Sequence, residues 1–163
     1  MRRETACFFA DMDVSALRDS LVALDIDGTL GAHDCEELAP EVLLQVSVLV
    51  TNGNRVRLVS NNTDSERARR LAARLGVEAV ESPYRKPDIR ALGDIPVPLQ
   101  EQPLVVIGDK VLTDGLFAKR LGAKFYKVAI VRSKDDPWSV RTHYIIDWLV
   151  RSFFQYTGPG SAG

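Results

Sequence analysis

The stretch Leu21-Val22-Ala23-Leu24-Asp25-Ile26-Asp27-Gly28-Thr29 decides the fold of this chain. Leu21 to Ile26 is a short apolar run, broken only by Asp25, and predicts a buried strand. Polar, turn-forming residues follow from Asp27 to about Glu37. Near-continuous apolar strands of this kind belong to parallel sheets covered by helices on both faces. Such sheets bind ligands beyond the carboxyl ends of their strands, which is where Asp25 and Asp27 fall.

Working outward, the same alternation repeats. Pro40 suits the first turn of a helix whose apolar face is Val42, Leu43, Val46, Leu49 and Val50, ended by Asn52-Gly53-Asn54. Val56 to Ser60 predicts a second strand. Thr63 with Glu66 makes a capping-box pattern for a helix through Leu75, closed by Gly76. Val77 to Val80 is a third strand, and residues 83–98, rich in Pro, read as loop with a short helix. Leu104 to Ile107 is a fourth strand, Leu112 to Leu121 a helix stopped by Gly122, and Ala123 to Val131 a fifth strand. Ser139 to about Phe154 is a final helix, and residues 156–163 are expected to be a disordered tail. The expectation is an α/β chain: a Rossmann-like, doubly wound parallel sheet of about five strands in one domain spanning residues 1–155.

Composition narrows the function classes. The chain has 163 residues, 45 % apolar and 26 % charged, with a formal net charge of -1. That balance fits a globular protein and gives no polyanion-binding footprint, so no nucleic-acid partner is expected. Cys7 and Cys35 match neither a disulfide framework nor a zinc spacing and read as free thiols of a reducing compartment. No apolar run reaches the ~18 residues of a membrane span, and the basic start lacks the apolar core of a signal peptide. A cytoplasmic location follows as the expectation. Of the basic residues 15 are Arg and 6 are Lys, and Lys86 is the only Lys before position 110.

The strand ends carry the chemistry. Strand one ends in Asp25-Ile26-Asp27-Gly28-Thr29, strand two in Ser60-Asn61-Asn62, and strand four in Gly108-Asp109, followed by Thr113-Asp114. Lys86-Pro87 lies in the loop after strand three. Each alone has an ordinary explanation as a turn, a cap or a solvated loop residue. Their joint order at successive element boundaries does not.

In these motifs the chain resembles the haloacid dehalogenase superfamily of phosphatases. Asp25-Ile26-Asp27-Gly28-Thr29 matches its Asp-x-Asp-x-Thr motif, Ser60 its strand-end hydroxyl, Lys86 its lysine, and Asp109 with Asp114 its acidic pair. Ser-Asn-Asn, Lys-Pro and Gly-Asp-x-x-x-Thr-Asp further resemble a capless branch that includes phosphatidylglycerophosphate phosphatases, although Gly28 stands where that branch carries Asn. The resemblance covers roughly residues 8–150.

The resemblance implies a Mg2+-dependent phosphatase in which Asp25 is the nucleophile and Asp27 the general acid and base. A carboxylate nucleophile splits phosphate ester hydrolysis into two easier steps, and a divalent cation relieves its repulsion by the phosphate. The implied metal ligands are Asp25, the backbone carbonyl of Asp27, and Asp109, with Asp114 either in the metal shell or orienting Lys86. The implied phosphate contacts are Thr29, Ser60, Asn61 and Lys86.

Spacing bears on the substrate. Neither the gap from Asp27 to Ser60 nor that from Ser60 to Lys86 has room for a cap domain, so an open site is expected, unless a second subunit of an oligomer supplies a lid. An open site suits a large phosphomonoester, with phosphatidylglycerophosphate favoured by the branch resemblance. The alternatives are a sugar, nucleotide-end or phosphoprotein phosphatase, a phosphomutase, or a non-catalytic binding module. The last helix, apolar over most of its circumference around Trp148, Phe153 and Phe154, reads as buried against the sheet, with peripheral docking on a membrane as the other reading. Arg67, Arg70 and Arg74 share one helix face, read as solvated, with contact to anionic lipid as the alternative.

Overall fold

The computed structural model describes residues 7–95 and 101–134. Five strands form one all-parallel sheet: β1 (Leu21–Leu24), β2 (Arg55–Leu58), β3 (Glu78–Ala79), β4 (Leu104–Gly108) and β5 (Lys124–Lys127), in the order β3-β2-β1-β4-β5. The central strand is β1, the apolar run that leads into Asp25. Leu21 lies opposite Arg55 on one side and Leu104 on the other, and Leu24 lies opposite Leu58 and Ile107.

Alternation along these strands builds two cores. Val22 and Leu24 join Val56, Leu58, Val105 and Ile107 against the buried face of α1 (Pro40–Thr51) and Leu71 of α2 (Ser65–Leu75). Ala23 and Val106 face the other way, onto Leu92 and onto Phe117 and Ala118 of α3 (Leu116–Leu121). Helices on both faces explain why β1 is buried at every position. The doubly wound α/β fold is therefore observed as expected.

Three local expectations are corrected. The cap of α2 is Asp64, whose carboxylate accepts from Arg67 N at 2.8 Å, rather than Thr63. The segment expected as one helix from Leu112 begins as a π-helical turn, Val111–Gly115, before α3. Strand five is shorter than expected, ending at Lys127. A 3-10 turn at Phe9–Asp11, which the sequence pattern did not suggest, buries Phe9 in the first core. The predicted final helix and tail lie outside the described residues.

Arg57 shows how a charge enters a central strand. It is 9 % exposed, and its guanidinium donates to Glu78 Oε2 at 3.0 Å and to the carbonyls of Leu92 and Asp94 at 3.3 and 2.7 Å. Those bonds replace the water that burial removed.

The chain runs outward from β1 to β3 and then crosses back to β4 on the other side of β1. The reversal leaves a crevice beyond the carboxyl ends of β1 and β4. Asp25 follows the first of these strands and Asp109 the second.

Candidate active site

Asp25 extends the ladder one residue past β1, its N–H donating to Ile107 O at 3.0 Å. The chain then folds tightly: Leu30 N donates to Ile26 O at 2.9 Å and Gly28 N to Gly31 O at 2.8 Å. Gly28 has φ +90°, and a Cβ there would lie 2.6 Å from Asp109 Oδ2. Glycine thus lets the β1 loop and the β4 end approach closely. Thr29, expected against phosphate, is instead fully buried beneath the carboxylates. Its hydroxyl lies 3.1 Å from Asp25 Oδ2 and 3.3 Å from Asp109 Oδ1.

Lys86 is buried, and its ammonium lies between two carboxylates, 2.5 Å from Asp25 Oδ1 and 2.6 Å from Asp114 Oδ1. Asn61 sets the backbone that delivers it: its Oδ1 accepts from Lys86 N at 2.7 Å and its Nδ2 donates to Lys86 O at 2.9 Å. The Asn61 side chain, expected on phosphate, is occupied in holding Lys86. The π turn brings Asp114 back beneath the site, where Asp114 N donates to Lys110 O at 2.9 Å and Asp114 Oδ2 accepts from Lys110 N at 3.1 Å. Gly108 makes the space, since a Cβ there would lie 2.4 Å from Asp114 Cγ.

Asp25, Asp109 and Asp114 offer carboxylate oxygens within 4.8 Å of one another, and all three residues are buried. Two ammoniums face them, Lys86 and Lys110, the latter 3.5 Å from Asp109 Oδ2 and 3.3 Å from the Asp27 carbonyl. Burial would raise the Asp25 carboxyl. The charges of Lys86 and Lys110, with hydrogen bonds from Lys86 and Thr29, outweigh it and hold Asp25 below the ordinary range. Asp109 goes the other way: burial first, then the Asp25 charge, push it up to about 8. Asp114 is also raised, by burial against the opposing pull of Lys86. Burial would likewise lower the Lys86 ammonium, but Asp114 and Asp25 raise it.

Asp109 Oδ2 is buried, and among the described residues no hydrogen bond reaches it, the Lys110 ammonium standing 3.5 Å away. A buried carboxylate oxygen left so is costly. An all-oxygen donor set of clustered carboxylates fits a hard divalent ion. Asp25, Asp109, Asp114 and the Asp27 carbonyl are the groups that could hold it.

Above this cluster lies a cleft of about 410 Å3 whose lining includes Asp25, Asp27, Ser60, Asn61, Lys86 and Lys110. Ser60 Oγ lies 3.4 Å from Asp27 Oδ2. Of the residues expected in the site, Thr29, Asp109 and Asp114 form its floor rather than its lining. Asn62 and Thr113, read from the sequence as members of the strand-end motifs but given no role, also line the cleft, as do His33 and Arg85, which were not singled out.

The largest omission is Arg67. Read as part of a solvated stripe, it is 4 % exposed and donates to Asp27 Oδ1 at 2.9 Å. Arg70 and Arg74 do face solvent, but they grip Glu36, through its carboxylate and its carbonyl. A signal was available: α2 starts just beyond the end of β2, so its first turn overlies the crevice.

No family model matches the chain. Over 117 residues it is 30 % identical to the probable phosphatase YqeG of Bacillus subtilis (strain 168), a match covering 70 % of this chain and 66 % of that protein. The chain thus spans just under two thirds of that relative's length. A chain in the solved structure of a Pnkp1/Rnl/Hen1 complex superposes with a TM-score of 0.50 at 19 % identity, covering 82 % of this chain and 53 % of that one. That likeness is one of fold. Fold and site together define a Rossmann-like α/β protein with an acidic, lysine-threaded crevice at its topological switch point. Among the described residues, no helix is long and apolar enough to cross a membrane.

Proposed function

We propose that this chain is a Mg2+-dependent phosphomonoester phosphatase of the haloacid dehalogenase type, working through a phosphorylated Asp25. The observation that carries the reading is Asp25 itself. It is a carboxylate in the lining of an open cleft, kept ionised by Lys86 and set beside a buried oxygen of Asp109 that no hydrogen bond reaches among the described residues. The similarity to a probable phosphatase supports the same class of reaction.

In the first half-reaction an Asp25 oxygen forms a bond to phosphorus as the ester P–O bond breaks. The electron pair departs on the leaving oxygen, which takes a proton from Asp27. In the second, a water oxygen bonds to phosphorus and loses a proton to Asp27, while the bond from Asp25 to phosphorus breaks and phosphate is released. Lys86 offsets charge on the transferring group, and Ser60 donates a hydrogen bond to it. A Mg2+ held by Asp25, Asp109, the Asp27 carbonyl and Asp114 would supply a second positive charge against the phosphoryl oxygens.

The substrate we favour is phosphatidylglycerophosphate, with other phosphomonoesters (sugar, nucleotide-end or phosphoprotein) as the second reading. Between Asp27 and Ser60 the chain holds only a loop, α1 and β2, and between Ser60 and Lys86 only α2, β3 and their connections. With no inserted cap there, the cleft admits a bulky ester.

The test is a phosphate-release screen over vesicle-borne lipid, sugar, nucleotide and peptide monoesters. Turnover is expected to vanish in EDTA, to return with Mg2+, and to fall below a few per cent in Asp25→Asn. Full activity in chelator removes the metal from the scheme; an active Asp25→Asn removes the nucleophile.

A further inference from the structure

Two carboxylates two residues apart in one motif have been given different cations. Lys86 holds Asp25. Arg67 holds Asp27, from the first turn of α2 and 40 residues away in sequence. The Arg67 guanidinium also donates twice to Cys35 O, through Nε at 3.1 Å and Nη2 at 2.7 Å. It therefore ties the loop after the Asp25 motif to the Asp27 carboxylate. A buried guanidinium needs such partners.

The contacts of the two Asp27 oxygens are unequal. Oδ1 accepts from Arg67 Nη1 at 2.9 Å and from Asp34 N at 3.0 Å. His33 Nδ1 stands further off, 3.8 Å from the same oxygen. Among the described residues Oδ2 has only Ser60 Oγ and Asn62 Nδ2, each at 3.4 Å, beyond the usual range of a good hydrogen bond. A substrate oxygen can replace such partners at little cost.

Resting on the phosphatase reading, we propose that Arg67 is a positioning residue for proton transfer. By fixing Oδ1 it turns Oδ2 of Asp27 toward the cleft as the atom that gives the proton to the leaving oxygen and later accepts one from water. Arg67 touches no substrate and acts through Asp27.

The leaving group reports this role. An alkyl phosphate needs its departing oxygen protonated, whereas p-nitrophenyl phosphate releases a stable anion. Arg67→Met is expected to lower kcat/KM on an alkyl phosphate about 10²-fold, the scale of positioned acid catalysis; this ratio reports the step that breaks the ester bond and not the later hydrolysis that both esters share. On p-nitrophenyl phosphate the loss is expected to be only a few-fold. In an Asp27→Asn background, adding Arg67→Met should cost less than about 3-fold more, because coupled residues are not additive. Arg70→Met, which loosens the same loop at Glu36 without touching Asp27, should keep the wild-type ratio of alkyl to aryl rates.

Equal losses on both esters, full additivity with Asp27→Asn, or the same ratio change in Arg70→Met would overturn the assignment. If Arg67→Met does not fold, Arg67→Lys decides. A point-charge ammonium cannot serve Asp27 and Cys35 as the fork does, so an intermediate ratio is expected and a wild-type ratio refutes the role. An active wild type with a dead Asp25→Asn but an additive cycle fails this proposal alone. A wild type that releases phosphate from neither ester fails the phosphatase reading and this proposal with it.

Discussion

Replacing Lys86 by Met removes an ammonium 2.5 Å from Asp25 Oδ1 and 2.6 Å from Asp114 Oδ1 while keeping an unbranched stem of similar length. The Lys86, Asp25 and Asp114 side chains are 3 %, 9 % and 1 % exposed, so water cannot take over its role without opening the site. Coulomb's law at an effective dielectric of about 20 gives roughly 6–7 kcal/mol for each contact. The net loss is smaller. Burying the ammonium has its own cost, and a carboxylate deprived of it can take up a proton at about 1.4 kcal/mol per unit of pKa. Breaking one side of a buried pair typically costs about 3–5 kcal/mol. We expect that loss at pH 8 in chelator, read as a fall in Tm of roughly 6–20 °C for a chain of this size. The pH dependence has a defined sign. Without Lys86, burial and the mutual repulsion of the buried carboxylates weigh more heavily toward protonated carboxyls. Their protonated forms then stabilise the fold at low pH, and that help disappears as pH rises. Lys86 in the wild type, raised above its ordinary 10.5, stays charged throughout this window. The stability gap should therefore widen from pH 5 to pH 8 in urea melts followed by circular dichroism. Adding Asp114→Asn to the variant should return roughly 1–2 kcal/mol by removing one orphaned charge. A Lys86→Met protein within about 1 kcal/mol of wild type at pH 8, less than any broken buried pair, refutes the arrangement of ammonium between carboxylates.

Gly108→Ala places a Cβ 2.4 Å from Asp114 Cγ and 2.5 Å from its Oδ2; Asp114 is pinned by Lys86, so a loss of about 1–3 kcal/mol by thermal melting is expected, together with lower phosphate release as Asp114 is displaced. Glu78→Gln should cost at most about 1 kcal/mol, since its pairs with Arg55 and Arg57 are partly solvated. Burial would raise the Glu78 carboxyl, but those two arginines hold it below its ordinary 4.5, so its contribution is present above pH 4.5 and fades as pH falls through the folded value. Melts at pH 7 and pH 3 should show the wild-type advantage shrinking at the lower pH, and an advantage that grew would contradict the assignment.

What the sequence made legible is what depends on local pattern. β1 reads as a buried strand because Leu21 to Leu24 face cores on both sides, and Asp25 reads as a site residue because it follows that strand. Lys86 stood out through the rarity of Lys in an Arg-rich chain. The residues that escaped are those whose environment is set by distant partners. Arg57 and Arg67 have the composition of surface residues, yet they are buried, because Glu78 and backbone carbonyls satisfy one and Asp27 and Cys35 O the other. Asn61 and Thr29 lie inside the recognised motifs. Even so, the side chain of Asn61 serves Lys86 and that of Thr29 the buried carboxylates, a division that only the packed site reveals.

Two cations from distant elements, Lys86 and Arg67, explain why the acidic motif is tolerable. Asp25 and Asp27 are separated by one residue, and both line the same cleft, so their charges would repel each other. Within the motif only the Thr29 hydroxyl, 3.1 Å from Asp25 Oδ2, offsets any of this. The remedy comes from elements beyond β2: the loop after β3 brings Lys86 to Asp25, and α2 brings Arg67 to Asp27. Each carboxylate is thereby oriented by a cation that the other does not share. On the phosphatase reading, that separation lets neighbouring residues of the same chemical type take different tasks, one forming a bond to phosphorus and the other moving a proton.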